Sequence, residues 1–498
     1  MSTEALRQEI QADFDASRPA RARNRPGQHA TPAALARAIT RLALAAHGPG
    51  PVRLLEPSVG TGAFFSALVA ESRATPAAGA GHLGVELDPE LAEGAALLWG
   101  GAGLTVRRGD FTAMAPQGQR YSLILANPPY ARHHHLDAAT KARLRAALPE
   151  HALSGLAGLH LYFVLLAHRW LAPGGVAAWL LPGEWLETAT GAALRAHLAR
   201  DVTLLQVHRF EATDLQFGEA LVSSVVVLLR QGAPPPGHRA RFSVGPDPAD
   251  PARWADHPVG ALAARARWAR LEQPPDPIGE YQITLNQMFD IKRGVATGAN
   301  RFFIRDLDAW DALGVPRAFL RPVLPGVRRL PFPHVPARPD GWPDLRPRLA
   351  LLDIRLSPEA LARAHPRLFA WLHGPEGEAA RQTWLARHRA PWYRQERRDP
   401  APVLASYMGR PRADRPAVRL YTNPTRAVAP NVYMGLYPRP ELGADPAQLA
   451  ALVEAINALP PGHLAGHGRT YAGGLSKLEP GDLGGVPIEA ALVAAGLR

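Results

Sequence analysis

A short apolar strand that runs straight into a glycine-rich turn and then a helix is the feature that most constrains the fold of this chain. The segment reads LEPSVGTGAFF over residues 55–65. Glycine lets the backbone approach a ligand, and a helix N-terminus offers unpaired N–H groups. A dinucleotide-binding fingerprint would have a third glycine at position 65, where Phe65 stands. The acidic Glu56 beside the turn suits an ammonium group better than a pyrophosphate. A ligand with an amino-acid moiety is therefore favoured, and a purely structural turn is the alternative.

Strands and helices alternate from residue 33 to residue 229. The predicted strands are 52–55, 83–85, 104–107, 121–126, 176–181, 202–208 and 221–229. The predicted helices are 33–46, 63–70, 89–99, 160–171 and 186–199. Thr31 is expected to cap the first of these helices, with Pro32 at its first position. Because the strands are almost continuously apolar, the pattern predicts an α/β fold with a doubly wound, mostly parallel sheet covered by helices on both faces.

The sequence QGAPPPGHR at residues 231–239 is the clearest candidate linker, because three consecutive prolines continue neither a helix nor a strand. Beyond it, proline and arginine are dense and regular alternation is lost. We therefore predict a sheet domain over residues 27–235 and an α+β domain over residues 236–498. The polar residues 1–26 are expected to be a mobile or docking arm, or a disordered tail.

Composition excludes several classes of protein. The chain has no cysteine, which excludes disulfides, thiolate zinc sites, iron–sulfur clusters and cysteine nucleophiles. It has no apolar run long enough for a membrane span, and its N-terminus lacks the apolar region of a secretory signal. A cytoplasmic protein that does not contact membranes is the simplest expectation.

Positive charge is concentrated in the C-terminal half. The chain carries 56 basic and 44 acidic residues, a net charge of +12. Residues 241–498 account for 34 of the basic and 25 of the acidic residues, a net charge of +9. This half is expected to bind a polyanion, although charge alone does not distinguish a nucleic acid from an acidic protein.

Acidic residues also follow the second and third predicted strands. Glu86 is placed to accept both hydroxyls of a ribose. Asp110 is placed to accept from an exocyclic amine, and Phe111 to cover an aromatic ring. Taken alone, each of these residues is as compatible with an ordinary strand end as with a ligand contact. Together with the glycine turn they outline a nucleoside that carries an amino acid, which describes S-adenosylmethionine.

The fourth predicted strand ends in Asn127-Pro128-Pro129-Tyr130. The two prolines make the backbone rigid and remove two N–H donors. The amide oxygen of Asn127 and the carbonyl oxygen of Pro128 can then hold an amino group together, while Tyr130 supplies a flat face. The pattern favours a site for a planar, amine-bearing ring over a plain proline turn.

In this order, the motifs resemble those of amino-methylating DNA methyltransferases, whose catalytic signature is similar to residues 127–130. The sequence QHATP at residues 28–32 resembles their N-terminal motif, in which the Thr-Pro step helps to bind the methionine part. Phe217, followed by VSSV at residues 222–225, resembles a later aromatic motif of the γ class. The resemblance covers residues 27–230 and implies the fold of a class I S-adenosylmethionine-dependent methyltransferase.

Two C-terminal segments extend the resemblance. Residues 294–303, GVATGANRFF, resemble the start of the target-recognition domain in methyltransferases of restriction–modification systems, and residues 469–480, RTYAGGLSKLEP, resemble its closing segment. The α+β region is therefore expected to be a target-recognition domain that binds double-stranded DNA. The family further implies a cognate restriction endonuclease as a functional, not necessarily physical, partner. No nuclease domain is expected on this chain, because little sequence precedes Thr31.

The resemblance implies adenine-N6 methylation of a base flipped out of duplex DNA. The catalytic residues are expected to be Asn127, Pro128, Tyr130 and Phe217. S-adenosylmethionine is expected to contact Thr31, Glu56, Ser58, Gly60, Gly62, Glu86, Asp110, Phe111 and Asn127. DNA is expected to contact Arg132, His133, Thr297, Asn300, Arg301, Arg469 and Lys477.

Several alternatives stay open. Cytosine-N4 methylation uses a similar loop, although asparagine rather than serine at position 127 favours adenine. RNA methylation, protein-glutamine methylation and a catalytically inactive DNA-binding subunit are further alternatives. No metal is expected in this protein. The histidines at residues 133–135 are not expected to bind one, because consecutive residues rarely point at one ion. Two interpretations of these histidines remain: they contact DNA phosphates, or they lie in a solvated loop.

Overall fold

The computed structural model describes residues 2–18, 30–72, 81–131, 133–210, 224–265, 267–268, 271–272, 283–411, 416–460, 462–471 and 475–497. The chain divides into two compact units, residues 1–277 and residues 278–498.

The first unit is built on one large sheet. Its strands are β1 Leu54–Glu56, β2 His82–Glu86, β3 Leu104–Arg108, β4 Tyr121–Ala126, β5 Leu171–Pro182, β6 Val202–Arg209, β7 Ser224–Gln231, β8 Arg239–Val244 and β9 Arg253–Pro258. Among the described residues they form a nine-stranded sheet in the order β3-β2-β1-β4-β5-β7-β6-β8-β9. The strands from β3 to β5 in that order are parallel, and β7 runs antiparallel to both of its neighbours.

Helices pack on both faces of this sheet. They are α1 Thr3–Ser17, α2 Ala33–His47, α3 Ala63–Glu71, α4 Pro89–Trp99, α5 Ala138–Ala146, α6 Leu159–His168, α7 Ala192–Arg200 and α8 Val259–Leu262. Successive strand residues point to opposite faces, so Leu54 and Leu55 enter two different hydrophobic clusters. One cluster includes residues of α2 and α3, and the other includes residues of α6 and α7. The predicted doubly wound, mostly parallel fold is confirmed.

Two predicted helices have different bounds in the structure. The helix predicted at 160–171 ends at His168, and the residues from Leu171 onward already belong to β5. The helix predicted at 186–199 begins only at Ala192. A tight turn precedes it, in which a Cβ on Gly191 would lie 2.1 Å from the Trp185 carbonyl oxygen.

The proline-rich segment at residues 231–239 turns the chain without ending the first unit. Beyond it, β8 pairs in parallel with β6, and β9 pairs antiparallel with β8. Ala240, Phe242 and Val244 of β8 are buried, which gives this strand a core-facing side. The boundary between the units therefore lies at residue 277 rather than at the predicted residue 235.

The N-terminal segment also differs from expectation. Residues 3–17 form α1, which packs against α4 with Phe14 buried. The buried side chains of Phe14 and Arg7 anchor this otherwise polar helix to the first unit, and Arg7 forms an ion pair with Glu4. Residues 19–29, which include the rest of the predicted arm, lie outside the described part of the chain.

The second unit has the predicted mixed α+β character. Its strands are β10 Phe289–Arg293, β11 Ile304–Asp306, β12 Leu320–Pro322, β13 Leu349–Leu352, β14 Val403–Ser406, β15 Met408–Gly409, β16 Leu420–Thr422, β17 Tyr433–Pro438, β18 Arg469–Tyr471 and β19 Leu475–Lys477. They form small sheets in the orders β10-β17-β14-β16, β11-β13-β12 and β15-β19-β18.

Short helices surround these sheets. They are α9 Leu285–Met288, α10 Asn300–Phe303, α11 Leu307–Ala312, α12 Pro358–Ala364, α13 Pro366–Leu372, α14 Pro375–Arg381, α15 Trp384–Arg387, α16 Pro446–Asn457, α17 Pro480–Gly484 and α18 Glu489–Ala494. Across the described residues of both units, none of the helices has the length and apolarity needed to cross a bilayer.

Candidate active site

A cavity of about 440 Å³ opens at the carboxyl ends of β1 to β4 in the first unit. Parallel strands bring their carboxyl ends to one edge of a sheet, which is where doubly wound folds bind ligands. The residues predicted to bind the cofactor that line this cavity are Ser58, Gly60, Glu86, Asp110, Phe111 and Asn127. The structure thus brings together the ends of four strands whose motifs are separated by up to about 70 residues in the sequence.

The glycine turn contributes one wall of the cavity. The backbone N–H of Gly60 donates to Oε2 of Glu86 at 2.9 Å, and Gly60 has a left-handed φ of 55°. Gly62 has a different role, since a Cβ there would lie 2.5 Å from Nε1 of Trp99. The Trp99 indole donates to the carbonyl oxygen of Thr61 at 2.9 Å. Gly62 therefore allows the turn to pack against α4 and does not itself line the cavity.

Glu56 lies behind the turn rather than on the cavity wall. It is 1% exposed, and its carboxyl oxygens accept from the backbone N–H groups of Phe64 at 3.4 Å and Phe65 at 3.2 Å. Burial raises the pKa of Glu56 well above its ordinary value. The first N–H groups of a helix have no partner within the helix, so this carboxyl satisfies the start of α3. Glu56 was predicted to contact the ammonium group of a ligand, whereas the structure places it behind the turn.

Glu86 is a rigid acceptor on the cavity wall. Oε1 accepts from the backbone N–H groups of Leu87 and Asp88, both at 2.9 Å, and Oε2 accepts from Gly60. Burial raises the pKa of Glu86, against the lowering effect of these three bonds. Each carboxylate oxygen can accept more than one hydrogen bond, so the group retains capacity toward the cavity.

Asp110 and Phe111 form the wall at the end of β3. Oδ1 of Asp110 accepts from the backbone N–H of Thr112 at 2.9 Å, and Oδ2 forms an ion pair with Arg143 at 2.8 Å. Phe111 is buried, with its ring centroid 5.5 Å from that of Phe163. The carboxylate is therefore oriented by two partners, and the apolar ring beside it is fixed by aromatic packing.

Asn127 is held from two sides at the end of β4. Its Nδ2 donates to Oγ1 of Thr31 at 3.1 Å, and its backbone carbonyl accepts from Oγ of Ser58 at 3.0 Å. Thr31 does not cap α2, whose N-cap residue is Pro32. It lies instead next to Asn127, and its neighbour Ala30 lines the cavity. The bond from Nδ2 to Thr31 sets the orientation of the Asn127 amide.

Of the remaining residues of the 127–130 motif, Pro129 lines the cavity, whereas Pro128 and Tyr130 are not among its lining residues. Pro128 is buried. The hydroxyl of Tyr130 donates to the carbonyl oxygen of Leu180 in β5 at 3.2 Å, and its ring meets the His160 ring edge-on at 6.4 Å. Burial raises the pKa of Tyr130, so its phenol is neutral.

Several predicted residues fall on parts of the chain that the structure does not describe. Arg132 and Phe217 lie outside the described residues, as do Gln28 and His29 of the N-terminal motif, and so does the side chain of Arg469. His133 begins a short helical turn, and His135 at its end lines the cavity.

In the second unit, the predicted DNA contacts differ in accessibility. Thr297 is 1% exposed, and its Oγ1 donates to Oδ1 of Asn300 at 2.5 Å, so it shapes the loop from within. Asn300 and Arg301 at the start of α10 are exposed. Lys477 forms an ion pair with Glu479 at 3.1 Å and is partly buried. Asn300 and Arg301 are thus the more accessible of these side chains.

Sequence patterns missed the contribution of α1 to the cavity. Gln11, Phe14 and Asp15 line it. Oγ1 of Thr61 in the glycine turn accepts from Arg7 and donates to Gln11, both at 3.1 Å. The spacing of Ile10 and Phe14, one helical turn apart in a polar segment, was the available signal for a docked helix.

Two protein-family models match the chain. The model of the Eco57I restriction-modification methylase matches residues 105–216, and the model of the C-terminal domain of the type II methyltransferase M.Eco57I matches residues 279–496. The first match includes the end of β4 with Asn127. The second begins close to the boundary between the two units.

Individual relatives cover more of the chain. The type II methyltransferase M.XamI of Xanthomonas campestris pv. amaranthicola is 30% identical over 468 residues, which are 92% of this chain and 84% of the relative. The type II methyltransferase M.AccI of Acinetobacter calcoaceticus is 19% identical over 312 residues, 58% of this chain and 55% of the relative.

A solved structure extends the likeness to the fold. The type IIL restriction-modification enzyme MmeI, determined in complex with DNA, aligns with a TM-score of 0.56 at 10% identity. The alignment covers 97% of this chain and 65% of the MmeI chain. At this identity the likeness is one of fold alone.

Proposed function

Because this chain belongs to the type II DNA methyltransferases of restriction–modification systems, we propose that it methylates the N6 amine of adenine in duplex DNA, with S-adenosylmethionine as the methyl donor. The observation that carries the proposal is the position of Asn127, which lines the cavity beside Glu86 and Asp110. Methylation of a specific site would protect the DNA against a cognate restriction enzyme.

The cavity residues fit S-adenosylmethionine. Glu86 offers a fixed carboxylate for the two ribose hydroxyls, and Asp110 offers one for the adenine amine. Phe111 supplies an apolar face beside them, and the cavity of about 440 Å³ is within the usual range for small-molecule sites. When bound, the cofactor supplies an electrophilic methyl group.

The residues of the 127–130 motif account for the activation of the base. An exocyclic amine conjugated to its ring is a poor nucleophile until its lone pair turns away from the ring. Oδ1 of Asn127 and the carbonyl oxygen of Pro128 accept the two amine hydrogens and favour that change. No strong general base is needed, because the proton leaves to solvent after transfer. Positioning and electrostatics then provide most of the acceleration.

A duplex hides the target amine, so the base has to flip out of the stack before it can react. Tyr130 and Phe217 hold the flipped ring by stacking, which contributes about 1–3 kcal/mol per contact. Tyr130 starts from a fixed position, since its hydroxyl is bonded to the carbonyl oxygen of Leu180.

The decisive experiment identifies the methylated base. Plasmid DNA incubated with the purified protein and S-adenosylmethionine is digested to nucleosides and analysed by mass spectrometry. We expect N6-methyladenine with the native chain and none with Asn127→Ala, which should keep its affinity for the cofactor. Detection of N4-methylcytosine would show that the target base is cytosine and not adenine. The absence of any methylated nucleoside would exclude the proposal.

Calorimetry tests the assigned cofactor contacts. Glu86→Ala and Asp110→Ala each remove a charged hydrogen-bond partner, so the affinity for S-adenosylmethionine should fall by about 1.5–3 kcal/mol. Glu90→Ala, an exposed acid on α4 outside the cavity lining, is the matched control. Unchanged affinity in both cavity variants would refute the assignment.

We assign DNA binding mainly to the second unit. Residues 278–498 carry 29 basic and 20 acidic residues, a net charge of +9. Phosphate contacts release counterions, so the affinity of the full chain for duplex DNA should fall with salt at a log–log slope of about −0.9 per neutralised phosphate. Arg301→Gln should make this slope shallower. Arg317→Gln, which removes an arginine bonded to Asp311 in the same unit, is the control. Equal slopes for Arg301→Gln and the native chain would remove Arg301 from the interface.

A further inference from the structure

A second cluster of chemically active side chains lies in the first unit, apart from the cavity. His151 follows α5, His168 ends α6, His197 lies in α7, and Asp201 follows α7. In the described structure, a potential ligand atom from each of His151, His197 and Asp201 lies within 4.8 Å of the other two. Leu159 at the other end of α6 lines the cavity, and the rise of this ten-residue helix separates its two ends by about 13 Å.

Polar atoms in this cluster lack partners. His197 is 2% exposed, and its Nδ1 lies 2.9 Å from Oδ2 of Asp201, but its Nε2 is buried without a hydrogen bond. Nδ1 of His168 is also buried without a hydrogen bond. The rings of His168 and His151 both meet the His197 ring edge-on, with centroids 4.7 Å and 5.3 Å away. Buried polar atoms without partners are rare, so this cluster calls for a physical explanation.

The donor atoms of the cluster suit a cation, because imidazole nitrogen and carboxylate oxygen are zinc ligands that need no cysteine. Asp201 adds a carboxylate, and Glu150 places another oxygen 3.7 Å from Nε2 of His151.

We propose that His151, His197 and Asp201 form a structural Zn²⁺ site that joins the segment after α5 to the end of α7. Zinc prefers imidazole nitrogen and carboxylate oxygen at about 2.0–2.2 Å in a tetrahedral arrangement, which spaces the ligand atoms about 3.3 Å apart. The present atoms lie within 4.8 Å of one another, so the side chains have to move closer together to bind the ion. The fourth position falls to a water or to His168 beside the cluster.

This site needs no cysteine, and its members lie far apart in the sequence. It is separate from the histidines at residues 133–135, where the sequence indicates no metal. A bound ion would join His197 and Asp201 to His151 and would hold the end of α7 to the segment after α5. Its effect is on the stability of the first unit, at the end of α6 opposite to the cavity.

The test uses the untagged full-length protein, stripped with a chelator and dialysed. Titration calorimetry with ZnCl₂ should show about one equivalent bound per chain, and Zn²⁺ should raise the Tm by several degrees over the chelated protein. His151→Ala and Asp201→Asn should each weaken Zn²⁺ binding by about tenfold or more. Both change partly or largely exposed side chains, and Asp201→Asn keeps an oxygen that can accept from His197. Circular dichroism checks that the variants remain folded.

His135→Ala is the control for binding at the other histidine run, and His373→Ala is the control for a general surface histidine. Both should bind Zn²⁺ like the native chain. Native-like binding by both His151→Ala and Asp201→Asn would overturn the proposal. So would a loss of binding in His135→Ala alone, because it would place the metal at residues 133–135.

Discussion

At the scale of single residues, the amide of Asn127 depends on a neighbour that lies 96 positions earlier in the chain. Thr31 accepts from Nδ2 of Asn127 at 3.1 Å and is almost completely buried. The family resemblance gives this threonine to the cofactor. Its bond to Asn127 makes it a positioning residue for the amide that we propose accepts hydrogens of the target amine, so the two roles predict different kinetic effects.

Thr31→Val should lower kcat by about tenfold, because one buried hydrogen bond of about 1–1.5 kcal/mol no longer orients the Asn127 amide. The affinity for S-adenosylmethionine should change little. Thr31→Ser keeps the hydroxyl and serves as the control. Steady-state kinetics and calorimetry separate the effects, since a large loss of cofactor affinity at unchanged kcat would show that Thr31 contacts the cofactor instead.

Tyr130 combines a ring that we propose stacks on the flipped base with a hydroxyl bonded to the Leu180 carbonyl oxygen. Tyr130→Phe keeps the ring and removes the bond to the Leu180 carbonyl, so its effect should be mild, about 0.5–1.5 kcal/mol in stability. Tyr130→Ala removes the ring and should lower base flipping, measured by the fluorescence of 2-aminopurine at the target position. If the two variants were equally damaging to methyl transfer, the hydroxyl and not the ring would be the important group.

At the scale of elements, α1 is tied to the glycine turn by a small polar network. Glu4 pairs with Arg7 at 2.8 Å and accepts from Oγ of Ser66 in α3 at 2.5 Å. Burial raises the pKa of Glu4, but hydrogen bonds from Arg7, Ser66 and Gln8 outweigh it and lower the pKa to about 2. The ionised carboxylate therefore stabilises the docked helix above its ordinary pKa of 4.5, and this stabilisation is lost as pH falls toward 2.

Glu4→Gln should loosen α1 and weaken binding of S-adenosylmethionine several-fold, because Gln11 and Phe14 of this helix line the cavity. Glu9→Gln, an exposed acid on the same helix, is the matched control. Calorimetry gives the affinities, and limited proteolysis reports whether α1 is released. Equal affinities for the two variants would show that the docking of α1 does not depend on the Glu4 network.

At the scale of the whole molecule, buried histidines make the fold sensitive to acid. Burial lowers the pKa of His160, beside Tyr130, and of His208 to about 4 in each case. His208 is fully buried, with its two ring nitrogens 2.9 Å from Oγ of Ser243 and 3.0 Å from the carbonyl oxygen of Gly245. A histidine with a lowered pKa stabilises the fold above its ordinary value of 6.5, and this contribution is lost as pH falls toward 4.

The free energy of unfolding should therefore decrease between about pH 6.5 and pH 4, with about 2–3 kcal/mol from His208 alone. His208→Gln should be less stable at neutral pH but show a shallower pH dependence. Denaturant unfolding of both proteins at several pH values measures the two slopes. Parallel slopes would show that His208 does not carry the acid sensitivity.

The local sequence pattern was sufficient to predict much of the architecture and many residues of the candidate site. The apolar segments around β1, β2, β3 and β4 predicted these strands, because strand formation and burial follow from short-range composition. The carboxyl ends of parallel strands meet at one edge, so the sequence alone is enough to group Glu86, Asp110 and Asn127. The charge of the C-terminal half is a property of composition and holds for the second unit as the structure defines it.

Tertiary contacts decided the rest. Glu56 had two available partners, a ligand or a helix start, and only packing turned it to the N–H groups of α3. The bond between Thr31 and Asn127, the docking of α1 on the glycine turn, and the pairing of β8 with β6 all join residues distant in sequence. The sequence predicts which side chains can donate, accept or be buried. Which partner each one meets is set by contacts between distant segments, and those contacts form only when the whole unit packs.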